Sequence, residues 1–267
     1  MSFPKARRKT VGMTTFKRIR FVASNVPSAC DAFAWLVAAH GQAELHEADV
    51  IVALGGDGFM LQTLHDMRES ELPVYGMNRG TVGFLMNEFA LEDLPARLAA
   101  AEEEIINPLV MHAETVDGEA RSALAINEVS LLRQGPQAAR LRISVDGKVR
   151  MEELVCDGAM LATPAGSTAY NYSAHGAILP IGAAVLALTA VAAFRPRRWR
   201  GALLPKTAVV RLDVIDPAKR PVMADADGRS VRNVSFVEIR SEPAVRHRIL
   251  FDPGHGLEER LISEQFV

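Results

Sequence analysis

The chain has 267 residues, with 30 Lys and Arg against 32 Asp and Glu, a formal charge of −2, and 49% hydrophobic residues. That allows one large domain or two modest ones with a sizeable core, and it leaves no basic footprint of the kind nucleic acid requires. Two cysteines, Cys30 and Cys156, lie far apart without a CxxC pair; this excludes a CxxC zinc motif, and both are read as reduced thiols of a cytoplasmic protein.

Residues 1–15 are basic but lack a following apolar stretch of signal-peptide length. They are read as a flexible leader, with Met13 as an alternative start. From 16 to 106, apolar runs alternate with helical patterns. Arg18–Ser24 predicts a strand, and Ser28–Gly41 a helix with Ser28 as N-cap and Gly41 as its stop. Asp49–Leu54 predicts a strand, Phe59–Ser70 a helix, Pro73–Asn78 a strand and Leu91–Glu104 a helix. This succession argues for parallel strands with helical crossovers, a Rossmann-like three-layer α/β domain.

After Asn107 the rhythm changes to short strands and tight turns, with Asp117-Gly118 and Asp146-Gly147 as hairpin dipeptides. Residues 107–244 are expected to form a β-rich, sandwich-like domain. It is expected to contain one helix, near Ile181 to Phe194. The surrounding apolar stretch, Ala177–Phe194, is interrupted by Pro180 and Gly182; the remainder is Ala-rich and too short for a membrane span. Residues 245–267 end in a helical pattern and are expected to pack back on the first domain.

Three stretches carry chemistry. In the first, the apolar run Val50–Leu54 stops at Gly55-Gly56-Asp57-Gly58. Glycines let backbone turn sharply and approach a ligand, and amides at a strand-to-helix turn suit phosphate oxygens. A carboxylate there would repel a phosphate. Asp57 is therefore read as a base for a hydroxyl attacking phosphorus, or as a Mg²⁺ ligand, with a simple N-cap as the structural alternative. The spacing matches neither the Rossmann G-x-G-x-x-G nor the P-loop.

The second stretch, Asp157–Pro180, combines glycines with Ser167, Thr168, Tyr170, Tyr172 and Ser173. Small residues let a flat ligand lie on the backbone, hydroxyls read polar edges, and a tyrosine can stack on a purine. The third is Asn127-Glu128, two polar residues inside an apolar strand pattern. A buried carboxylate needs a partner, and the diol of a ribose would supply one; an edge or bulge position is the structural alternative.

Together, GGDG (55–58), NRGTVGFL (78–85), NE (127–128) and DGAMLATPAGSTAYNYS (157–173) resemble the NAD kinase family. GGDG alone is shared with lipid kinases and phosphofructokinase-like enzymes; the T-P-x-G-S-T-A-Y segment is far more specific. The resemblance covers most of the chain beyond the leader. It implies transfer of the γ-phosphoryl of ATP, with its divalent metal (Mg²⁺), to the 2′-hydroxyl of the adenosine ribose of NAD. Asp57 would be the proton acceptor, with Gly58 beside it at the substrate and Gly55 and Gly56 as further binding residues of the same turn. Asn127 would hold the adenine end and Glu128 the ribose hydroxyls. Asp157 would contact the nicotinamide half, from a neighbouring subunit. Ala165, Thr168, Ala169, Tyr170, Asn171, Tyr172 and Ser173 would form the adenine wall, with Tyr170 stacking. The family also implies a homodimer or homotetramer, without a nucleic-acid or membrane partner. Phe59, Val155, His175 and Arg229 depart from the family pattern, and Phe194–Arg200 forms a basic cluster. A lipid or sugar kinase of the GGDG superfamily and a non-catalytic dinucleotide sensor are the competing readings.

Overall fold

The computed structural model describes residues 16–80 and 83–254. The chain divides into two compact units: one runs to Ile105 and resumes at His247, and the other is Ile106–Arg246. The leader and the helical pattern at the end of the tail lie outside the described residues.

The first unit opens with β1 (Ile19–Ala23), α1 (Pro27–His40), β2 (Val50–Gly55), α2 (Asp57–Asp66), β3 (Val74–Asn78), α3 (Leu94–Ala100) and β4 (Glu102–Ile106). The second unit follows with β5 (Leu109–Thr115), β6 (Ala120–Ala125), β7 (Glu128–Arg133), β8 (Ala139–Val145), β9 (Lys148–Cys156) and β10 (Gly158–Ala162). A 3₁₀ turn (Ala165–Thr168) and the short helix α4 (Tyr170–Ser173) come next. The remaining strands are β11 (Val185–Val191), β12 (Gly201–Pro205), β13 (Val210–Val214), β14 (Val222–Ala226), β15 (Arg229–Val231) and β16 (Val234–Ser241); β17 (His247–Phe251) belongs again to the first unit.

The first unit is built on one sheet in the order β1-β2-β3-β17-β4, with β1, β2, β3 and β17 parallel. All six residues of β2 are buried. Val50, Val52 and Leu54 share a core with Leu36 of α1 and Leu94 and Leu98 of α3. Alternation turns Ile51 and Ala53 to the other face, where Gly76 of β3 lies against Met60 of α2. Two covered faces explain why β2 reads as an unbroken apolar run.

Two local expectations change in this unit. Ser28 does not cap α1; Pro27 opens the helix and the Ser28 hydroxyl donates to the Arg79 carbonyl at 3.0 Å. The helix expected to run through Glu104 ends at Ala100, and Glu102–Ile106 is strand β4. There Glu103 takes both ends of the Arg248 guanidinium, at 2.7 and 2.8 Å, so cross-strand pairing with β17 overrides helix propensity. The returning strand is tied in by Asn87: its Nδ2 donates to the carbonyls of Gly76 and Leu250, and its Oδ1 accepts from Asp252 N.

The second unit is two six-stranded sheets, ordered β12-β11-β10-β7-β14-β15 and β6-β5-β16-β13-β8-β9. Both contribute to one apolar core, including Leu131, Leu161 and Leu188 from the first and Met111, Leu141 and Leu212 from the second. This is a β-sandwich. Asp146 and Gly147, with φ of 52° and 73°, form the tight β8–β9 turn. The helix expected near Ile181–Phe194 is absent. Val185–Val191 is strand β11, paired on both sides by β10 and β12. Burial of its five middle residues removes the polar alternation that marks a half-exposed strand, and alanine enrichment imitates a helix.

Candidate active site

Asp57 stands at the first position of α2, directly after the glycine pair that ends β2, where an acidic residue complements the helix dipole. Its Oδ2 accepts the amide of Phe84 at 2.6 Å and its Oδ1 the amide of Leu85 at 3.0 Å. A Cβ on Gly83 would overlap the carboxylate, so the segment after β3 must carry glycine there to come this close. Asp57 is thus not the N-cap, a position Gly56 holds, and the helix has no side-chain cap bond. Each oxygen keeps lone-pair capacity for a hydroxyl.

Around it the glycines divide into two kinds. A Cβ on Gly55 would meet the Phe59 ring, so Phe59 packs under the turn. Among the described residues nothing lies within 4 Å of a would-be Cβ on Gly56 or Gly58. Gly58→Ala is therefore expected to raise stability by up to about 1 kcal/mol, because Ala favours the helix. Urea denaturation checks this.

In the second unit, Asn127 and Glu128 sit where the chain passes from one sheet to the other: β6 ends at Ala125 and β7 begins at Glu128. The pair is thus a corner, not strand interior. The Thr163 hydroxyl donates to Ile126 O at 2.7 Å and the Thr163 amide to Asn127 O at 2.9 Å. A Cβ on Gly166 would overlap the Asn127 backbone. These contacts bring the Ala165–Ser173 loop against the Asn127-Glu128 corner. Glu128 Oε2 is buried with no hydrogen-bond partner among the described residues. Burial first, then the neighbouring Asp227 and Asp225 carboxylates, push its carboxyl up to about 8. An orphaned buried oxygen is the mark of a group awaiting a ligand.

The loop residues separate by role. Ala165 is buried; Thr168, Ala169 and Tyr170 are half-buried; Tyr172 and Ser173 are exposed. The Ser167 hydroxyl, read as part of the ligand surface, instead donates to Pro164 O and accepts from Leu179 N. Asn171, expected on the adenine wall, is fully buried. Its Nδ2 donates to Ser167 O and Ala177 O, and its Oδ1 accepts the Thr189 hydroxyl at 2.6 Å. Gly176 is pressed so close to it that a Cβ would overlap the amide. Asn171→Ala is expected to cost about 2–4 kcal/mol by leaving these buried groups unpaired. Thermal denaturation tests this, with Tyr172→Ala, on the exposed side, expected near wild type in stability.

Asp157 is set apart from this cluster. It precedes β10 whereas Thr163 follows it, so the strand, at about 3.3 Å per residue, separates them by roughly 17–20 Å. Its carboxylate accepts Arg133 Nε at 2.6 Å. His175 lies in the left-handed region, φ 62°, a conformation that glycine adopts more readily. With Thr189 and Arg200 it lines a cleft of about 310 Å³.

Four contributors were missed in the sequence. Gly83 and Thr163 lay within quoted motifs but had no assigned task, and Gly166 was read only among the small residues that face a ligand, not as the contact with Asn127. Asp227 closes the β14–β15 hairpin, with φ 47° followed by 88° at Gly228. Its carboxylate accepts the amides of Ile126 (2.5 Å), Asn127 (3.2 Å) and Glu128 (3.4 Å). A D-G pair between two short strands was the available signal.

A parallel α/β unit with a held carboxylate at its strand-to-helix turn is followed in the chain by a β-sandwich bearing a small-residue loop, the two-part organisation that the resemblance to the NAD kinases implies. Residues 8–105 match the ATP-NAD kinase N-terminal domain and residues 126–239 the ATP-NAD kinase C-terminal domain. The NAD kinase of Cereibacter sphaeroides is 75% identical over 253 residues, covering 95% of this chain and 100% of the relative. That of Hyphomonas neptunium is 58% identical over 250 residues, 94% of this chain and 98% of its own. Among solved structures, yeast NADH kinase complexed with NADH aligns with a TM-score of 0.81 at 20% identity, over 95% of this chain and 88% of that one. An NAD kinase from Archaeoglobus fulgidus in complex with ATP aligns at 0.74 and 24% identity, over 92% and 98%. The chain belongs to the NAD kinase family.

Proposed function

We propose that the chain transfers the γ-phosphoryl of ATP to the 2′-hydroxyl of the adenosine ribose of NAD, giving NADP, with Asp57 as the general base. The observation that carries this reading is the Asp57 carboxylate, fixed by two backbone amides directly after the glycine pair at the end of β2. A ribose hydroxyl is a poor nucleophile at neutral pH. Alignment with the γ-phosphate supplies most of the acceleration, and a carboxylate that takes the proton adds about 10²–10⁴-fold.

Asn127 and Glu128 take the adenosine end: the unpartnered Glu128 oxygen meets a ribose hydroxyl, and Tyr170, half-buried beside the corner, stacks on the base. Ala165, Thr168, Ala169, Tyr172 and Ser173 line that wall, while Asn171 shapes it from behind. Asp157, a strand's length away, takes the nicotinamide half from a neighbouring subunit of a homodimer or homotetramer, as the family resemblance implies. The divalent cation arrives on the ATP phosphates. Among the described residues no group of three or more His, Cys, Asp or Glu side chains is placed to hold one. No helix among the described residues is long and apolar enough to cross a membrane; the reading places the reaction in the cytoplasm, where both substrates are.

The test is direct measurement of NADP formed from NAD with ATP, or with polyphosphate, as donor. No product with either donor would overturn the assignment.

A further inference from the structure

We propose that Asp227 is a positioning residue for the dinucleotide, setting the Asn127-Glu128 corner through the backbone amides it accepts. The inference rests on the reading of that corner as the adenosine-binding end. The corner has little else to define it. Ile126 and Asn127 lie between two strands that belong to different sheets, and Glu128 opens the second of them. Three consecutive amides, Ile126, Asn127 and Glu128, converge on one carboxylate from a hairpin about a hundred residues later in sequence, with bonds of 2.5, 3.2 and 3.4 Å. The hairpin is itself braced. Asp225 accepts the Gly228 amide at 2.7 Å and the Ser230 hydroxyl at 2.5 Å, and Arg229 Nη1 donates to Leu124 O at 3.4 Å. Thr163 fixes the corner's carbonyls from the opposite side, so donors and acceptors of Ile126 and Asn127 are both engaged. The Asn127 and Glu128 side chains remain for a ligand.

Asp227 has a second effect through space. Its charge, with that of Asp225, adds to burial in holding Glu128 protonated up to about pH 8. The charged groups facing Glu128 are these two carboxylates from the β14–β15 hairpin; from β10 its register partner is Ala162. Below that pH Glu128 can donate one hydrogen bond to a ribose oxygen and accept another.

The experiment is steady-state kinetics of Asp227→Asn from pH 6 to 9.5, beside Glu128→Ala. An asparagine keeps the shape but loses the charge and one acceptor. The KM for NAD is expected to rise about tenfold, roughly the loss of one charge-assisted bond, with kcat within about threefold. The pH step in that KM, near 8 in the wild type, is expected to move lower. A merely structural role would not move it. If Glu128→Ala raises KM and Asp227→Asn changes neither KM nor the pH step, the positioning role is overturned while the corner's role stands. If Glu128→Ala leaves KM for NAD unchanged, the reading of the corner itself fails. Should Asp227→Asn not fold, carboxyl-labelled NMR of the wild type decides: Glu128 and Asp227 resonances moving together near pH 8 support the coupling, and an ordinary Glu128 titration removes it.

Discussion

Asp57→Asn is expected to lower kcat by about 10²–10⁴-fold, the contribution of a positioned base, while NAD affinity stays within a few-fold. The substitution also has a structural cost. The carboxylate accepts two amides, from Phe84 and Leu85, and an asparagine offers one oxygen. Its NH₂ must face one of these N–H groups, leaving it unsatisfied at about 1–3 kcal/mol, or roughly 3–8 °C in Tm for a chain of this size. Thus a lower Tm accompanies the lost turnover without explaining it, because at 25 °C a protein several kcal/mol above its threshold remains almost wholly folded. Calorimetric NAD binding separates the two effects. A variant that bound NAD and kept near-normal turnover would remove the base from the mechanism, leaving Asp57 as a brace for the segment after β3.

That dual use bears on what a sequence discloses. The glycines around Asp57 announce a close backbone approach, and the open space beside Gly56 and Gly58 is what such residues provide. Nothing in the local sequence says that the aspartate also holds a loop some 27 residues later, since the contact depends on β2 and β3 lying side by side. The same applies to Asp227. Its turn is legible as a D-G hairpin, but its partner amides belong to a corner in a remote part of the chain. Local chemistry can be read; which distant element completes it follows from topology.

The fold shows a parallel limit. Strands β1, β2 and β3 and helices α1 and α2 follow from periodicity and glycine punctuation. Val185–Val191 does not, because a strand buried on both faces carries no alternation, and its alanines favour a helix in isolation. Glu102–Glu104 misleads for the opposite reason. Three glutamates after an Ala-rich helix look like its continuation, until β17 returns to place Arg248 beside Glu103. Within the Ala165–Ser173 loop, side-chain type alone suggests that every polar residue is free to face a ligand. Packing divides them: Ser167 and Asn171 hold the loop's own backbone, while Thr168, Tyr170, Tyr172 and Ser173 keep some surface.

Glu128→Gln is expected to stabilise the protein at alkaline pH. The folded-state pKa of Glu128 is raised to about 8, from an ordinary value of 4.5, chiefly by burial and then by Asp227 and Asp225. A raised acid binds its proton more tightly folded than unfolded, so wild-type stability falls as pH rises from about 4.5 to about 8, and the whole cost is present above that. Glutamine resembles the protonated carboxyl and does not titrate. The variant should therefore match the wild type near pH 4.5 and exceed it by about 2–4 kcal/mol at pH 9, a full conversion of the shift, near 5 kcal/mol, being reduced by partial solvent access. Urea denaturation of both proteins at pH 5, 7 and 9 measures the difference directly, and other titrating groups cancel in the comparison. A constant difference across that range would mean that Glu128 ionises normally in the folded chain. A widening one would show that the enzyme keeps a destabilising carboxyl at the very corner where a ribose hydroxyl is expected, the mark of a residue retained for binding and not for folding.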